Sequence, residues 1–376
     1  MTKTPDLMGL VLPSISGLCS LTRLNIRNCN LQAIPSDIGC LSSLQQLDLS
    51  GNNFVLIPKR INQLSNLSKF WVENCKSLQL LPEIQSHCYI EVWANGYTSL
   101  KSLPPFTVKD NSQNCFHLLN CFQLVDNQGR CDLLTTMLRE YFQVSLSLSL
   151  SLSLSLSQLS LKIMVGFYVS GIKKKKKRFD VVIPGSEVPN WFRHQSVGAS
   201  INLEVPSNLF KPFRGIALCA VFRPHQHRPP SHRCFTLHCQ FKANGNEFNS
   251  CPCVTISAEF DMVKSDHCWF TYLLRPNFEH YFSNKFLQIV DESNCQLEIE
   301  FRAGNGRMME IKKCGARMVY EEEMEDLKQS MDQIECNIIP NNEGVDHFEE
   351  DIKSKRSRDD ENGASGEVPH PKTKRV

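Results

Sequence analysis

Three observations in the sequence predict an α/β repeat solenoid, then an all-β sandwich and a disordered C-terminal tail. Residues 7–106 carry leucines at a regular period, as stacked solenoid units do. Residues 179–320 contain many short apolar runs separated by Gly, Pro and Asn, which is typical of a β-sandwich or jelly roll. Residues 321–376 are polar and charged, a composition that does not support a packed core.

The composition of the chain bounds its class and its compartment. Its 376 residues are enough for two domains and a tail, and the net charge of +2 gives no overall field that would attract nucleic acid. The 17 cysteines are an odd number, and the first residues lack the layout of a signal peptide. We therefore expect a reduced compartment, cytoplasmic and/or nuclear, with no nucleic-acid partner and no membrane.

The first region fits the leucine-rich repeat pattern LxxLxLxxN/C. The first leucines of three matching units stand at positions 21, 44 and 67, a spacing of 23 residues both times. A degenerate unit starts at Tyr89, 22 residues later, and a partial unit precedes the three. The pattern predicts four to five stacked repeats in residues 7–106. Because Met1 begins inside a repeat and neither end is a polar cap, we expect a fragment or a shortened gene product.

One face of this solenoid is the candidate ligand-binding surface. The leucines of each strand point inward, so the residues between them form an exposed column, with Gln46 beside it. The candidate ligand-binding residues are Arg23, Asn25, Asp48, Lys69, Trp71 and Trp93. Trp and Arg are typical anchors of protein interfaces. The alternative is that the two tryptophans pack under the next domain or stack on each other.

Residues 107–144 are predicted to connect the repeats to the second domain. Asn114–Val125 is expected to be a short helix or strand that covers the last repeat, and residues 131–142 have helical apolar spacing.

Residues 145–178 form a low-complexity insertion of alternating Ser and Leu, followed by a lysine run. The alternation is compatible with an amphipathic strand, a membrane span or a translated dinucleotide repeat, and we favour the last. The lysine run is either a nuclear signal or a solvated linker.

The second domain opens with Phe179–Phe192, where Phe179, Val181 and Ile183 alternate as in a half-buried strand. A turn follows, after which Val188, Trp191 and Phe192 need a core. Further strands are predicted at 201–205, 215–222, 234–241, 254–260, 269–274, 286–290, 296–301 and 318–320.

No catalytic, cofactor or metal site is predicted. Seven residues form a His/Cys run whose spacing does not reproduce a paired zinc knuckle: His225, His227, His232, Cys234, Cys239, Cys251 and Cys253. The alternative for this run is a His/Pro-rich loop followed by buried cysteines. No GxSxG, HExxH or phosphate-loop motif is present, so we expect a protein that is not an enzyme.

Several motifs carry a resemblance to a known family. The repeats, the segment NCFQL, and the runs FDVVIPGSEVPNWFRHQS, GIALCAVF, SDHCWFTYL and IKKCGARMVY resemble the C-terminal part of plant disease resistance proteins of the toll/interleukin-receptor, nucleotide-binding, leucine-rich-repeat class. The resemblance implies a C-terminal jelly-roll/Ig-like domain that, with the repeats, binds a protein ligand such as a pathogen effector or a host guardee. A full-length receptor is a further possible partner. It also implies that NAD cleavage belongs to a receptor module absent from this chain.

The tail carries two basic clusters of the nuclear-import type. The candidate nuclear-import residues are Lys353, Lys355, Arg356, Arg358, Lys372, Lys374 and Arg375. The alternative is an ordinary solvated tail.

The resemblance thus implies a recognition module of plant innate immunity. The alternative function is a truncated or mis-predicted receptor fragment without independent activity. A carbohydrate-binding or hydrolytic role would rest on fold analogy alone.

Overall fold

The described part of the chain is mostly β-sheet. The computed structural model describes residues 10–84, 90–96, 99–103, 114–128, 178–205, 213–225, 234–247, 252–257, 265–274, 295–304 and 309–320. The Ser-Leu tract, the lysine run, the segments 131–142 and 286–290, and the charged tail with all seven candidate nuclear-import residues lie outside the described residues.

The first region is a parallel array of short strands. It contains β1 (Leu10–Val11), β2 (Arg23–Asn25), β3 (Leu31–Ala33), β4 (Gln46–Asp48), β5 (Lys69–Trp71), β6 (Ile90–Trp93) and β7 (Asn114–His117). Two 3-10 helices (Ser36–Cys40 and Lys59–Gln63) lie between strands, and helix α1 (Phe122–Gln128) follows β7. Strands β2, β4, β5, β6 and β7 pair in parallel in that order, and we call these five strands the array.

The turn after each array strand repeats one backbone conformation. Equivalent positions are Asn28, Gly51, Asn74, Gly96 and Asn120, and all five have φ between 55° and 79°. This left-handed region is open to Gly and, among the other residues, mainly to Asn and Asp. Each unit of the array therefore carries, at this turn, a residue type that tolerates a positive φ.

A polar ladder holds successive turns of the array together. The side chain of Asn52 donates to the backbone oxygens of Ile26 (2.9 Å) and Leu49 (2.8 Å), and its Oδ1 accepts from the N–H groups of Cys29 and Leu31. At the equivalent positions, Cys75 donates to the backbone oxygen of Leu49, and Cys121 to that of Ala94. These bonds explain the Asn/Cys position of the repeat pattern, because a small donor there satisfies buried carbonyls of the preceding turn.

The second region consists of two packed sheets, and we call it the two-sheet unit. Its strands are β8 (Arg178–Pro184), β9 (His194–Val197), β10 (Ser200–Val205), β11 (Phe213–Pro224), β12 (Cys234–Ala243), β13 (Asn246–Glu247), β14 (Cys253–Ser257), β15 (His267–Leu274), β16 (Cys295–Ala303) and β17 (Met309–Tyr320). The smaller sheet has the order β10-β16-β12-β13, with β14 paired to β12.

The larger sheet runs without a break from the array into the two-sheet unit. Its order is β2-β4-β5-β6-β7-β8-β15-β11-β17-β9, and β8 pairs in parallel with β7 on one side and antiparallel with β15 on the other. The sheet therefore changes from parallel to antiparallel at β8.

Two apolar cores lie on opposite sides of this large sheet. On one side, the buried residues of the array form one cluster with Val181, Phe270 and Cys219 of the two-sheet unit. On the other side, Val182 and Trp269 pack against residues of the smaller sheet. The second core corresponds to the interior of a β-sandwich.

Strand β8 differs from the prediction of a half-buried strand. All seven of its residues are buried, including Arg178 and Asp180. The reason is its position, because the core shared with the array covers one face and the smaller sheet covers the other.

The segment Asn114–Val125 contains both of the predicted kinds of element, a strand and the start of a helix. Strand β7 pairs in parallel with β6 and so forms the last strand of the array.

The turn segment after β8 packs directly on the large sheet. Val188 and Phe192 are buried, as predicted, and both lie over Gly315 of β17. A Cβ atom at Gly315 would lie 2.5 Å from Cγ1 of Val188, so only glycine permits this approach. Trp191 stacks on Phe192 with ring centroids 4.1 Å apart.

Candidate functional site

The strand register places the candidate ligand-binding residues on one face of the array. Parallel pairing aligns two rows that run across the five strands. The Arg23 row consists of Arg23, Gln46, Lys69, Glu91 and Cys115, and the Asn25 row consists of Asn25, Asp48, Trp71, Trp93 and His117. The structure therefore brings all six predicted residues to neighbouring positions in these rows.

Exposure falls along both rows towards the two-sheet unit. Arg23 and Asn25 are exposed, and the Lys69 and Trp71 pair is half-buried. Trp93 is only 8% exposed. The solvent-accessible part of this face thus lies on β2, β4 and β5.

The expectation that Trp93 is solvent-facing is wrong. Its ring stacks on the imidazole of His117 with centroids 3.7 Å apart and planes 7° apart. The prediction missed this contact because it placed no array strand beyond the Trp93 unit. Trp93 thus follows the packing alternative, whereas Trp71 keeps part of its surface in solvent.

The polar groups of the exposed part make local contacts. Oδ1 of Asn25 accepts from the backbone N–H of Arg27, and Oδ1 of Asp48 accepts from that of Ser50. The ammonium of Lys69 lies 5.8 Å from the ring centroid of Trp71, within the range of a cation–π contact. These contacts hold the side chains in place and so reduce the entropy lost when a partner binds.

Three residues at the buried end of the two rows were not predicted as site residues from the sequence. Glu91, Cys115 and His117 lie together, with ligand-type atoms all within 4.8 Å of one another. Burial is the main cause that raises the pKa of the Cys115 thiol well above its usual range. The available signal was the alternation in Asn114–His117, which places Cys115 and His117 on one face once this segment is recognised as a strand.

A buried charge network lies where the rows enter the two-sheet unit. The guanidinium of Arg178 pairs with the carboxylate of Asp180, and Nε1 of Trp269 donates to the same carboxylate at 3.1 Å. Arg178 also donates to the backbone oxygen of Cys253 in β14 at 2.6 Å. The network therefore connects the large sheet to the smaller one.

A second polar contact connects the array to the two-sheet unit. The backbone N–H of Asn120 donates to Nε2 of His267 at 3.1 Å, and Nδ1 of His267 lies 3.1 Å from the backbone oxygen of Ser265. These partners fit a neutral imidazole with its proton on Nδ1. Burial lowers the pKa of His267 to about 4.

The His/Cys run of the second domain is only partly described. Cys239 is buried in the core between the two sheets, whereas His225 and Cys253 are exposed. His227, His232 and Cys251 lie outside the described residues. None of the helices in the described part of the chain has the length and hydropathy needed to span a bilayer.

Comparison with known proteins relates the chain to plant disease resistance proteins. The C-JID domain family matches residues 183–325. Disease resistance protein RPS4B of Arabidopsis thaliana is 26% identical over 68% of this chain. Two further proteins of the same organism are similar to this chain. Disease resistance-like protein DSC1 is 27% identical over 84% of the chain, and Disease resistance protein RPP2B is 28% identical over 71%.

The chain covers only a small share of these relatives. It spans 21% of the length of RPS4B, 26% of DSC1 and 22% of RPP2B. The relatives and the matched domain agree with the motifs of residues 179–320. Residues 183–325 match the C-JID domain family, and the chain shows homology to the C-terminal part of plant disease resistance proteins of the toll/interleukin-receptor, nucleotide-binding, leucine-rich-repeat class.

Proposed function

We propose that this chain is a non-catalytic recognition module of plant innate immunity that binds a protein ligand such as a pathogen effector. In this proposal the array is a leucine-rich repeat solenoid, and the two-sheet unit is a jelly-roll/Ig-like domain. The homology to disease resistance proteins supports the immune role. The observation that carries the proposed binding site is the exposed part of the two rows on β2, β4 and β5.

The chemistry of this surface fits a protein ligand. It combines a half-buried aromatic ring, two cationic side chains and the amide of Asn25 on a rigid sheet. Tryptophan and arginine carry much of the binding energy in protein interfaces. The flat strand backbone holds these groups at fixed spacings, so a partner finds them already ordered.

The compartment and further partners belong to the same proposal. We place the module in the cytoplasm and/or nucleus, the compartments expected from the sequence and from its resemblance to this class of disease resistance proteins. A host guardee or a full-length receptor is an alternative protein partner, and the proposal includes no cofactor.

The test is a binding screen of the full chain against a panel of purified effector proteins secreted by plant pathogens. For any effector that binds, we expect Arg23→Ala combined with Trp71→Ala to weaken Kd by at least about 30-fold, the size of one interface hot spot. The matched control is Lys59→Ala combined with Arg60→Ala, two exposed cations on the 3-10 helix between β4 and β5.

The possible outcomes distinguish an error in the proposed binding surface from an error in the proposed function. If the control weakens binding and the Arg23/Trp71 variant does not, the ligand uses another face. If the folded chain binds no member of a broad panel and no host target, the alternative of a fragment without independent activity is favoured.

A further inference from the structure

The Glu91, Cys115 and His117 cluster is built by the backbone register. Glu91 of β6 is paired directly with Cys115 of β7, and Trp93 is paired with His117. Cys115 and His117 are two residues apart on one strand, so their side chains share a face. Three different ligand-type groups, a carboxylate, a thiol and an imidazole, therefore converge at the buried end of the array.

The distances in the cluster approach those of a tetrahedral metal site. Sγ of Cys115 lies 3.2 Å from Nε2 of His117, and this nitrogen lies 3.6 Å from Oε1 of Glu91. Tetrahedral Zn²⁺ with its usual bond lengths places such ligand atoms about 3.3–3.6 Å apart. Two of the three ligand–ligand distances thus lie close to these values, and the third is at most 4.8 Å.

The orientation of His117 is fixed by its neighbour. The parallel stacking on Trp93 holds the plane of the imidazole, and in this plane Nε2 faces the carboxylate and the thiol. A ligand whose ring is already oriented loses little freedom on binding a metal.

Burial and charge favour a metal over a reactive thiol. Cys115 and His117 are 4% and 1% exposed, so a substrate has little access to the sulfur, whereas an ion reaches it past the Glu91 side chain, which is 16% exposed. A carboxylate and a thiolate together balance the two positive charges of Zn²⁺, which makes the occupied site neutral.

We propose that Glu91, Cys115 and His117 bind one Zn²⁺, with a water molecule in the fourth position on the side of Glu91. Thiolate, imidazole and carboxylate are each established zinc ligands, and the presence of a soft thiolate and an imidazole disfavours Mg²⁺ and Ca²⁺. Since Glu91 belongs to β6 and the other ligands to β7, the ion cross-links the last two strands of the array beside the two-sheet unit. This site does not depend on the proposed binding of a protein ligand.

The experiment is a zinc titration of the full chain. The protein is purified with a non-thiol reductant, stripped with a chelator, and titrated with Zn²⁺ in competition with a chromophoric chelator. Co²⁺ is then used as a spectroscopic probe, because a thiolate ligand produces a charge-transfer absorption. Since the chain has 17 cysteines, each variant is compared with the wild type for the difference in bound zinc.

The variants are Cys115→Ser, His117→Gln and Glu91→Gln, with Cys121→Ser as the matched control. Cys121 is equally buried on the next turn, where its thiol donates to the backbone oxygen of Ala94. We expect the wild type and the control to bind one more equivalent of zinc than Cys115→Ser and His117→Gln. Glu91→Gln should weaken zinc binding at least about tenfold, because even outer-shell changes cost that much.

Three results would overturn the proposal. The first is that the wild type binds no zinc. The second is equal stoichiometry and affinity in the wild type, Cys115→Ser and His117→Gln. The third is a loss in Cys121→Ser as large as that in Cys115→Ser. If Cys115→Ser and His117→Gln do not fold, the zinc affinity of Glu91→Gln tests the proposal, because a carboxamide at this partly exposed position leaves the core intact. An unchanged affinity for zinc rejects the site, and a weakened affinity supports it.

Discussion

The array and the two-sheet unit differ in the solvent exposure of the same side of one continuous sheet. The Asn25 row continues by strand pairing from His117 to Val182 of β8 and then to Trp269 of β15. Asn25 is exposed, whereas Val182 and Trp269 are completely buried. The difference arises because the smaller sheet covers this side only in the two-sheet unit. A repeat position therefore does not determine exposure, which depends on what lies above it.

On the other side of the sheet the two regions are alike. Phe70 and Phe116 of the array and Val181 and Phe270 of the two-sheet unit belong to one buried cluster. Phe179 bridges the two parts, with its ring 6.3 Å from that of Phe116 and 6.2 Å from that of Phe270. The regions thus share a core, and the boundary drawn at residue 179 from the sequence falls within a continuous sheet.

The largest expected effect is on the charge network at this boundary. Arg178→Met should leave the Asp180 carboxylate buried without its cation and destabilise the fold by about 3–5 kcal/mol. Urea unfolding measures the change in free energy. Arg23→Met, on the exposed end of the array, is the control and should change stability by less than about 0.5 kcal/mol. Equal losses of stability in the two variants would contradict the prediction that the buried charge pair matters more than an exposed residue of the array.

The two tryptophans of the Asn25 row test whether burial increases along the array. Trp93→Ala removes a buried ring and its stacking on His117, and should cost about 3 kcal/mol. Trp71→Ala removes a half-buried ring and should cost about 1 kcal/mol. Thermal or urea unfolding of both variants tests the order, and a larger loss for Trp71 would contradict the exposure gradient.

Acid should weaken the contact between Asn120 and His267. Because burial lowers the pKa of His267 from about 6.5 to about 4, the folded state favours the neutral imidazole. Its contribution is complete above pH 6.5 and is lost as the pH falls towards 4, a difference of about 3 kcal/mol. Urea unfolding at several pH values should show a steeper acid loss in the wild type than in His267→Gln. Identical slopes would exclude this group as the cause.

A smaller loss than that expected for His267 or Trp93 concerns the ladder of the array. Asn52→Ala removes the donors to Ile26 and Leu49 and should cost about 2 kcal/mol, because buried backbone groups lose their partners. Asn53→Ala is the matched control, since this neighbouring amide is exposed and its Nδ2 donates to Oδ1 of Asn30. Its expected cost is below about 0.5 kcal/mol, and a similar loss in both variants would argue against the ladder.

Much of the local structure followed from patterns in the sequence. The spacing of 23 residues aligned Arg23, Gln46 and Lys69 on neighbouring strands, and the register confirms this. The strands predicted at 201–205, 215–222, 269–274 and 296–301 are confirmed within β10, β11, β15 and β16. These predictions succeeded because alternation and turn residues act over a few positions of the chain.

The Glu91, Cys115 and His117 cluster could not be predicted in the same way. The unit that contains Glu91 is degenerate, and NCFH was assigned to a connector, so no pattern placed these residues side by side. Only the pairing of β6 with β7 does so.

The sequence by itself determined the period of the array, the turn residues with left-handed backbone and the apolar strands, because each depends on local sterics and side-chain alternation. The tertiary structure decided the rest: the junction of the two regions through β8, the burial of Trp93, and the convergence of Cys115 and His117 with Glu91. These features depend on which strands become neighbours and which face a second sheet covers. Such contacts join residues far apart in the chain, as Asn120 and His267 show, and no local pattern encodes them.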